Sequence, residues 1–147
     1  MSVHVYTYPR PMLTVDAVIF SGTVGKWKVV LIKRKNDPFS GCWALPGGFV
    51  DQDESLEAAV TRELCEETGL SGILLNQFHA FGDPGRDPRG HSVTVAYWGL
   101  LYDPVPLHAA DDAAEAVWFD VNALPSMAFD HETIINTALH HLETRTP

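Results

Sequence analysis

The chain has 147 residues, of which 46% are hydrophobic and 20% charged, as is ordinary for a water-soluble globular protein. This length favours one domain, spanning residues 1–147, with a sizeable hydrophobic core. The formal net charge is −9 and the few basic residues are scattered, which argues against a nucleic-acid backbone or an anionic membrane as partner. The N-terminus lacks a signal-peptide pattern and no apolar run approaches about 18 residues, so we expect a cytoplasmic protein.

The first quarter of the chain predicts an arm followed by a β-hairpin. Ser2–Pro11, punctuated by tyrosine and proline, is typical of an arm or an edge strand. Leu13–Phe20 is β-branched and largely apolar, which predicts a strand, and Trp27–Arg34 is its expected hairpin partner. Arg34 is either a solvated strand end or a phosphate contact. We favour the contact because the following loop leads directly to a glycine-rich turn.

A helix is predicted after that turn, which consists of Pro46, Gly47 and Gly48. Glycines in such a turn let the backbone approach a ligand closely. Asp53 or Ser55 can cap the start of the helix, and Gly69 is suited to follow its end. The face that this helix buries is predicted to consist of Leu56, Ala59, Val60 and Leu64.

Three carboxylates share another face of the same helix. Glu63, Glu66 and Glu67 stand at positions i, i+3 and i+4, where like charges repel by about 0.2–0.5 kcal/mol per pair. They also lie in the last turn, where the helix dipole disfavours negative charge. A bound hard cation such as Mg²⁺ or Mn²⁺ would turn this repulsion into attraction, so we favour a metal site over an ordinary acidic surface.

Beyond the helix, the chain predicts a strand and an arginine-bearing loop. Ile73–Phe81 has the composition of a strand, and the loop that follows it reads GDPGRDPRG. Arg86 and Arg89 in this loop suit planar contact with phosphate or carboxylate oxygens. The alternative, that they pair with Asp83 and Asp87, is equally compatible with the sequence.

The C-terminal third predicts two further strands and a last helix. His91–Leu101 is a long strand, an acidic loop runs to Glu115, and Ala116–Asp120 is a short strand. Asp130–Thr144 is predicted to be a helix capped by Asp130. Histidines of this helix, interpreted as solvated, are His131, His140 and His141. About five strands and two helices separated in sequence predict an α/β sandwich with a mixed sheet between helices.

The stretch from Gly48 to Leu70 resembles the Nudix box, whose pattern is G-x5-E-x7-R-E-U-x-E-E-x-G-U, with U a bulky aliphatic residue. All nine specified positions are matched, by Gly48, Glu54, Arg62, Glu63, Leu64, Glu66, Glu67, Gly69 and Leu70. The resemblance implies the Nudix-type α/β/α sandwich. It also implies hydrolysis of a nucleoside diphosphate linked to another moiety, with Mg²⁺ or Mn²⁺ as cofactor.

Carried onto this chain, the resemblance implies a role for each residue of the box. Glu63, Glu66 and Glu67, together with a carbonyl oxygen of Gly47 or Gly48, would hold the metal. Arg62 would orient a carboxylate, either Glu54 or Glu63, and one glutamate would act as general base. Family members often add a carboxylate from outside the box, for which we choose Glu115, with Asp111 and Asp112 behind it.

The segments PRPMLTVDAVIF, ALPGGFVD and FGDPGRDPRGHSVTVAYW resemble the ADP-ribose pyrophosphatase branch of the family. That branch splits ADP-ribose into AMP and ribose 5-phosphate. The alternatives are a (d)NTP pyrophosphohydrolase that sanitises the nucleotide pool and a non-catalytic sensor of ADP-ribose-like ligands. Dimerisation is common among ADP-ribose-cleaving relatives, so the resemblance allows a homodimer. Candidates to hold the nucleobase, each equally suited to the core, are Phe20, Trp43 and Tyr97.

Overall fold

A computed structural model describes residues 3–109 and 113–145 of the chain. Seven strands and two helices occur in these residues. The strands are β1 (Met12–Ser21), β2 (Lys28–Arg34), β3 (Trp43–Ala44), β4 (Gly47–Phe49), β5 (Asn76–Phe81), β6 (Ser92–Leu101) and β7 (Ala113–Asp120). The helices are α1 (Leu56–Thr68) and α2 (His131–Arg145). Neither helix in this part of the chain is long and apolar enough to cross a membrane.

The sheet is mixed, as the sequence predicts. β1 lies parallel to β6 along its whole length, whereas all other pairings are antiparallel. The predicted hairpin of β1 and β2 is paired only beside its turn, at Phe20 with Val29 and Ser21 with Lys28. Beyond that point the strands diverge, because β1 pairs with the glycine strand β4 while β2 pairs with β3 and β7. This divergence opens a cleft in the sheet.

Side chains of β1 alternate between two hydrophobic layers. Val15, Ala17 and Ile19 pack in the layer that contains the apolar face of α1. Val18 and Phe20 pack in the layer that contains Ile134 and other buried residues of α2. Because successive strand residues point to opposite faces, β1 must be apolar on both sides. The predicted α/β/α sandwich is therefore confirmed, with one helix on each face.

Helix α1 begins and ends where the sequence predicts. The Ser55 hydroxyl accepts a hydrogen bond from the Ala58 N–H at 3.1 Å, so Ser55 rather than Asp53 is the cap. At the other end, Gly69 adopts a left-handed conformation with φ of 78° and donates its N–H to the Cys65 carbonyl. The buried face of the helix includes Ala59, Val60 and Leu64, as expected.

Residues 3–11 form no strand, so the arm, one of the two predicted alternatives for this segment, agrees with the structure. Two predicted strands begin at other residues than expected. β5 begins at Asn76 rather than Ile73, after a turn that contains Gly72 with φ of 71°. β7 begins at Ala113, so Glu115 lies within the strand rather than in a loop before it. The reason is that β7 continues to pair with β2 as far as Arg34.

Candidate active site

The cleft between β1 and β2 contains a cavity of about 380 Å³. Its wall includes the glycine turn and several charged or aromatic side chains, among them Asp16, Arg34, Gly47, Gly48, Phe49, Glu63, Glu67, Arg86, Arg89, Phe129 and His131. All three arginines predicted to bind substrate are in this set, as are three of the four predicted metal-binding residues. The fourth, Glu66, lies on α1 with its side chain 43% exposed, outside the cavity wall.

The glycine turn needs glycine for steric reasons, because neither Gly47 nor Gly48 has a positive φ. A Cβ atom on Gly48 would stand 2.7 Å from the carboxyl carbon of Glu63. A Cβ on Gly47 would collide with the Val15 carbonyl and with the Asp16 carboxylate. The Gly47 N–H donates to Glu67 Oε1 at 2.7 Å. Two carboxylates of α1 therefore lie directly against the turn.

Arg62 gathers the other acidic groups of the box. Its guanidinium donates two hydrogen bonds to Glu54, at 2.8 and 2.9 Å, and one to Glu63 at 2.8 Å. A longer contact of 3.5 Å reaches Glu66, and the Phe49 carbonyl accepts a bond at 3.2 Å. The bonds from Arg62, and then that from the Asp51 N–H, lower the pKa of Glu54 to about 2. Arg62 thus orients Glu54 and Glu63 and does not line the cavity, in agreement with its predicted role.

The carboxylate oxygens of the box are the kind of ligand that a hard divalent cation prefers. Glu63 and Glu67 present oxygen ligands at the glycine turn, where the backbone is closest to the cavity. Among residues 3–109 and 113–145, no three His, Cys, Asp or Glu side chains are already gathered around one point. Glu63 is turned toward Arg62 and Glu67 toward Gly47. Metal binding at this face would therefore reorient side chains rather than backbone.

Two arginines of the cavity wall, Arg86 and Arg89, are held in different ways. Arg86 donates to both carboxylate oxygens of Asp130, at 2.6 and 2.9 Å, and to the Ser92 hydroxyl at 2.8 Å. The alternative prediction, that Arg86 pairs with Asp83 or Asp87, is wrong. The Arg86 side chain is turned inward, is only 5% exposed, and pairs with Asp130 instead. Arg89 pairs with Asp87, as one alternative predicted, through bonds of 2.9 and 3.1 Å.

Arg34 joins these two arginines on the wall of the cavity. Its Nε donates to the Pro38 carbonyl at 2.8 Å, and its guanidinium lies 5.0 Å from the centre of the Phe129 ring. Burial, and next the neighbouring charge of Arg89, lower the pKa of Arg34. Arg34 thus lines the cavity, and its contact with a phosphate stays a prediction.

The aromatic residues at the cavity are not those that the sequence suggested. Phe20 and Tyr97 are buried in the two hydrophobic layers, and Trp43 packs edge-on against Phe119 at 4.8 Å. The rings on the wall belong to Phe49 and Phe129, with the Arg89 guanidinium 5.3 and 5.7 Å from their centres. Phe129 has a φ of 51°, an uncommon conformation for a bulky residue and one that is typical of strained functional positions.

A buried polar pair under the cavity escaped the sequence analysis. Asp16 is 5% exposed and His131 is 6% exposed, with 3.6 Å between Asp16 Oδ1 and His131 Nε2. Burial raises the pKa of Asp16 and lowers the pKa of His131. The interpretation of His131 as solvated is wrong, because the start of α2 points into the sheet. The available signal was Asp16 itself, a lone carboxylate in a strand that is apolar on both faces.

Glu115 is not brought to the cavity. Its side chain is 55% exposed and pairs with Lys33 across the β2–β7 ladder, 3.7 Å away. The structure therefore does not place this carboxylate beside Glu63 and Glu67, and its role as a catalytic group stays a prediction. Its alternatives, Asp111 and Asp112, lie outside the described residues.

Comparison with known proteins agrees with this geometry. Residues 10–138 match the NUDIX domain family. An ADP-ribose pyrophosphatase from Methanocaldococcus jannaschii is 47% identical over 130 residues, which cover 87% of this chain and 73% of that protein. An ADPR-responsive transcriptional repressor, NtrR, from Acinetobacter baylyi is 40% identical over 143 residues, 95% of this chain but only 57% of the repressor.

A solved structure shares the whole arrangement of elements. It is the NUDIX domain of Shewanella oneidensis NrtR in complex with ADP-ribose, with a TM-score of 0.85 and 37% identity. The match covers 92% of this chain and 90% of that domain. Nudix hydrolases generally depend on divalent metal ions, which agrees with the carboxylates at the glycine turn. On its complete box, its fold and these matches, the chain belongs to the Nudix hydrolase family.

Proposed function

We propose that this Nudix hydrolase cleaves a nucleoside diphosphate linked to another moiety, with ADP-ribose as its substrate and AMP and ribose 5-phosphate as its products. The observation that carries the proposal is the cavity, whose wall includes both Glu63 and Glu67 and the three arginines Arg34, Arg86 and Arg89. A diphosphate in this cavity can meet the arginines and the acidic face of α1 together. The 47% identical ADP-ribose pyrophosphatase supports the choice of substrate.

The residues of the chain divide the work of hydrolysis. The guanidinium groups on the cavity wall bind and orient phosphate oxygens. Glu63, Glu66, Glu67 and the carbonyl of Gly48 would hold Mg²⁺ or Mn²⁺, which would supply positive charge to offset that of the diphosphate. A glutamate of the same face accepts the proton of the attacking water as the bond between the two phosphate groups breaks. Mg²⁺ or Mn²⁺ as the ion, the cytoplasmic location and a homodimer belong to this proposal.

The overall net charge of −9 makes the arginines more important for an anionic substrate. Arg34 and Arg86 are both held at the cavity by hydrogen bonds within the protein. Arg34 donates to the neutral Pro38 carbonyl, and Arg86 donates to the Asp130 carboxylate. Asp130 uses one edge of the Arg86 guanidinium and the Ser92 hydroxyl accepts from its third nitrogen, so only one N–H of each Nη remains for a phosphate oxygen. Arg89, with a side chain 39% exposed, can shift toward the substrate.

A hydrolysis panel with Mg²⁺ and with Mn²⁺ tests the proposal. ADP-ribose, NADH, diadenosine polyphosphates, GDP-sugars and oxidised dNTPs would be compared by product chromatography. We expect AMP and ribose 5-phosphate from ADP-ribose at the highest rate. Glu67→Gln should abolish this turnover while the protein stays folded, because a glutamine oxygen can still accept the Gly47 N–H bond. Pyrophosphate released preferentially from a dNTP would contradict the proposal and indicate a sanitising enzyme.

A sensor without catalysis is the second candidate. It is favoured by the similarity to the ADPR-responsive repressor and to the NrtR domain that was solved with ADP-ribose. Calorimetric titration of ADP-ribose, with and without metal, separates this candidate from an enzyme. Binding without product formation in either metal would establish the sensor and refute hydrolysis.

A further inference from the structure

His131, the first residue of α2, joins three parts of the chain beneath the cavity. Its Nδ1 accepts a hydrogen bond from the Leu45 N–H at 3.0 Å, and its Nε2 faces Asp16 Oδ1 at 3.6 Å. The other carboxylate oxygen of Asp16 accepts a bond from the Thr94 hydroxyl at 2.6 Å. All of these side chains are buried.

The hydrogen bonds define the tautomer of the imidazole. A backbone N–H can only donate, so the Nδ1 that faces Leu45 must carry a lone pair. The proton of the neutral ring therefore lies on Nε2, the nitrogen that is 3.6 Å from Asp16 Oδ1. The charge of an ionised Asp16 at this distance favours the one tautomer that can accept from Leu45.

Leu45 lies two residues before Gly47 and is continuous with the glycine turn. On the β1 side, the Ala17 N–H donates to the Pro46 carbonyl at 2.8 Å. Gly47 sits so close to Asp16 and Val15 that it cannot accept a Cβ atom. The turn is therefore bound on one side to β1 and on the other to the first residue of α2. A shift of Leu45 would move the backbone at Gly47, whose N–H donates to Glu67.

We propose that His131 is a positioning residue that, through its acceptor Nδ1 and its partner Asp16, sets the position of the glycine turn against the carboxylates of α1. His131 does not reach those carboxylates directly; it acts through Leu45. The neighbouring residue, Asp130, acts on a different part of the site, because it holds Arg86. Asp130 and the first residue of α2 thus act separately on an arginine of the cavity and on the glycine turn.

Two substitutions of His131 distinguish the role of its hydrogen-bond acceptor, Nδ1, from the role of its side-chain volume. His131→Leu removes both ring nitrogens, whereas His131→Asn keeps an acceptor oxygen close to the position of Nδ1. Each variant would be measured for Mn²⁺ affinity by calorimetry without substrate, and for kcat and KM with ADP-ribose. The kinetic readout rests on the proposed function, but the Mn²⁺ affinity does not, so failure of either is distinguishable. His140→Asn, an exposed histidine of the same helix, is the matched control.

His131→Leu is expected to weaken Mn²⁺ binding and to lower kcat by about 10- to 100-fold each, as loss of an outer-sphere partner usually does. KM for ADP-ribose should change by less than about threefold, because the arginines are untouched. His131→Asn should recover most of the loss, and His140→Asn should behave as the wild type. Asp130→Asn should show the opposite pattern, a raised KM with unchanged Mn²⁺ affinity.

Two results would overturn the proposal: a folded His131→Leu protein with wild-type Mn²⁺ affinity and kcat, or an asparagine variant as impaired as the leucine one. Should His131→Leu fail to fold, the wild-type protein provides an independent measurement. Nitrogen-15 NMR of metal-free protein should show His131 with a protonated Nε2 and an acceptor Nδ1. A proton on Nδ1 at neutral pH would exclude the Leu45 hydrogen bond and with it the proposed role.

Discussion

Arg62 resolves an electrostatic conflict at a single position. Glu54, Glu63 and Glu66 all contact its guanidinium, with the two shortest sets of bonds going to Glu54 and Glu63. Its planar fork can bind both oxygens of Glu54 and still reach Glu63 from the remaining nitrogen. A lysine ammonium is a compact donor without this geometry. Arginine is therefore required at this position for its shape as well as its charge.

Arg62→Lys is expected to release Glu54. The pKa of Glu54 is about 2 in the folded protein against an ordinary value of 4.5, so the native contact persists above pH 4.5 and is lost as the pH falls toward 2. In the variant, the pKa should move back toward 4.5, which carbon-13 NMR of the side-chain carboxyl can follow. Activity should fall as Glu63 loses its orientation. An unchanged Glu54 titration would show that Arg62 does not hold this carboxylate.

Gly48→Ala tests the close approach of α1 to the glycine turn. The new methyl group would stand 2.7 Å from the Glu63 carboxyl carbon, so Glu63 must move away from the turn. We expect Mn²⁺ affinity and turnover to fall at least about tenfold, while the fold is retained. Gly82→Ala is the matched control, because its nearest neighbour is a valine methyl at 3.1 Å outside the site. Equal effects of the two substitutions would contradict a specific role for Gly48.

At the scale of elements, α1 could be predicted from the sequence but its partners could not. Its cap, its end at Gly69 and its row of glutamates all follow from spacing within one helix. The bond between Arg86 and Asp130, by contrast, joins residues 44 positions apart, and that between Leu45 and His131 joins residues 86 apart. Such contacts depend on how β1 and β2 diverge, which no local pattern encodes. For the same reason the sequence did not single out Phe49 and Phe129 as the aromatic side chains at the cavity.

Ser55→Ala tests how far α1 depends on its cap. The substitution removes the acceptor for the Ala58 N–H, which leaves a helix-terminal donor unpaired. The free energy of unfolding should fall by about 1 kcal/mol, measured by urea denaturation. Turnover should stay close to that of the wild type, since Glu63, Glu66 and Glu67 lie toward the other end of the helix and Arg62 holds Glu54 independently of the cap. Ser71→Ala, exposed beyond that end, is the control and should leave stability unchanged.

At the scale of the whole molecule, the net negative charge and the cleft of the sheet both favour the binding of cations near Glu63 and Glu67. The chain carries a net charge of −9, and two buried or partly buried carboxylates, Glu63 and Glu67, face the cleft that the diverging strands open. Divalent cations that bind the folded protein in this cleft must stabilise it, because the unfolded chain does not assemble the site. Screening of the net charge by dissolved ions would also stabilise the folded protein, but that effect would not depend on any single glutamate.

Thermal unfolding with Mn²⁺ distinguishes these two effects. At 100 times the dissociation constant, one bound ion stabilises the folded state by about 2.7 kcal/mol. For a chain of this size, each 1 kcal/mol corresponds to roughly 2–4 °C in Tm. We expect a rise of this order with Mn²⁺, its reversal by a chelator, and little change with NaCl at equal ionic strength. Glu67→Gln should lose the Mn²⁺ response but keep the NaCl response, because only the former depends on a ligand at the glycine turn. Equal Mn²⁺ responses in the wild type and Glu67→Gln would show that the ion acts by screening and would remove Glu67 from the metal site.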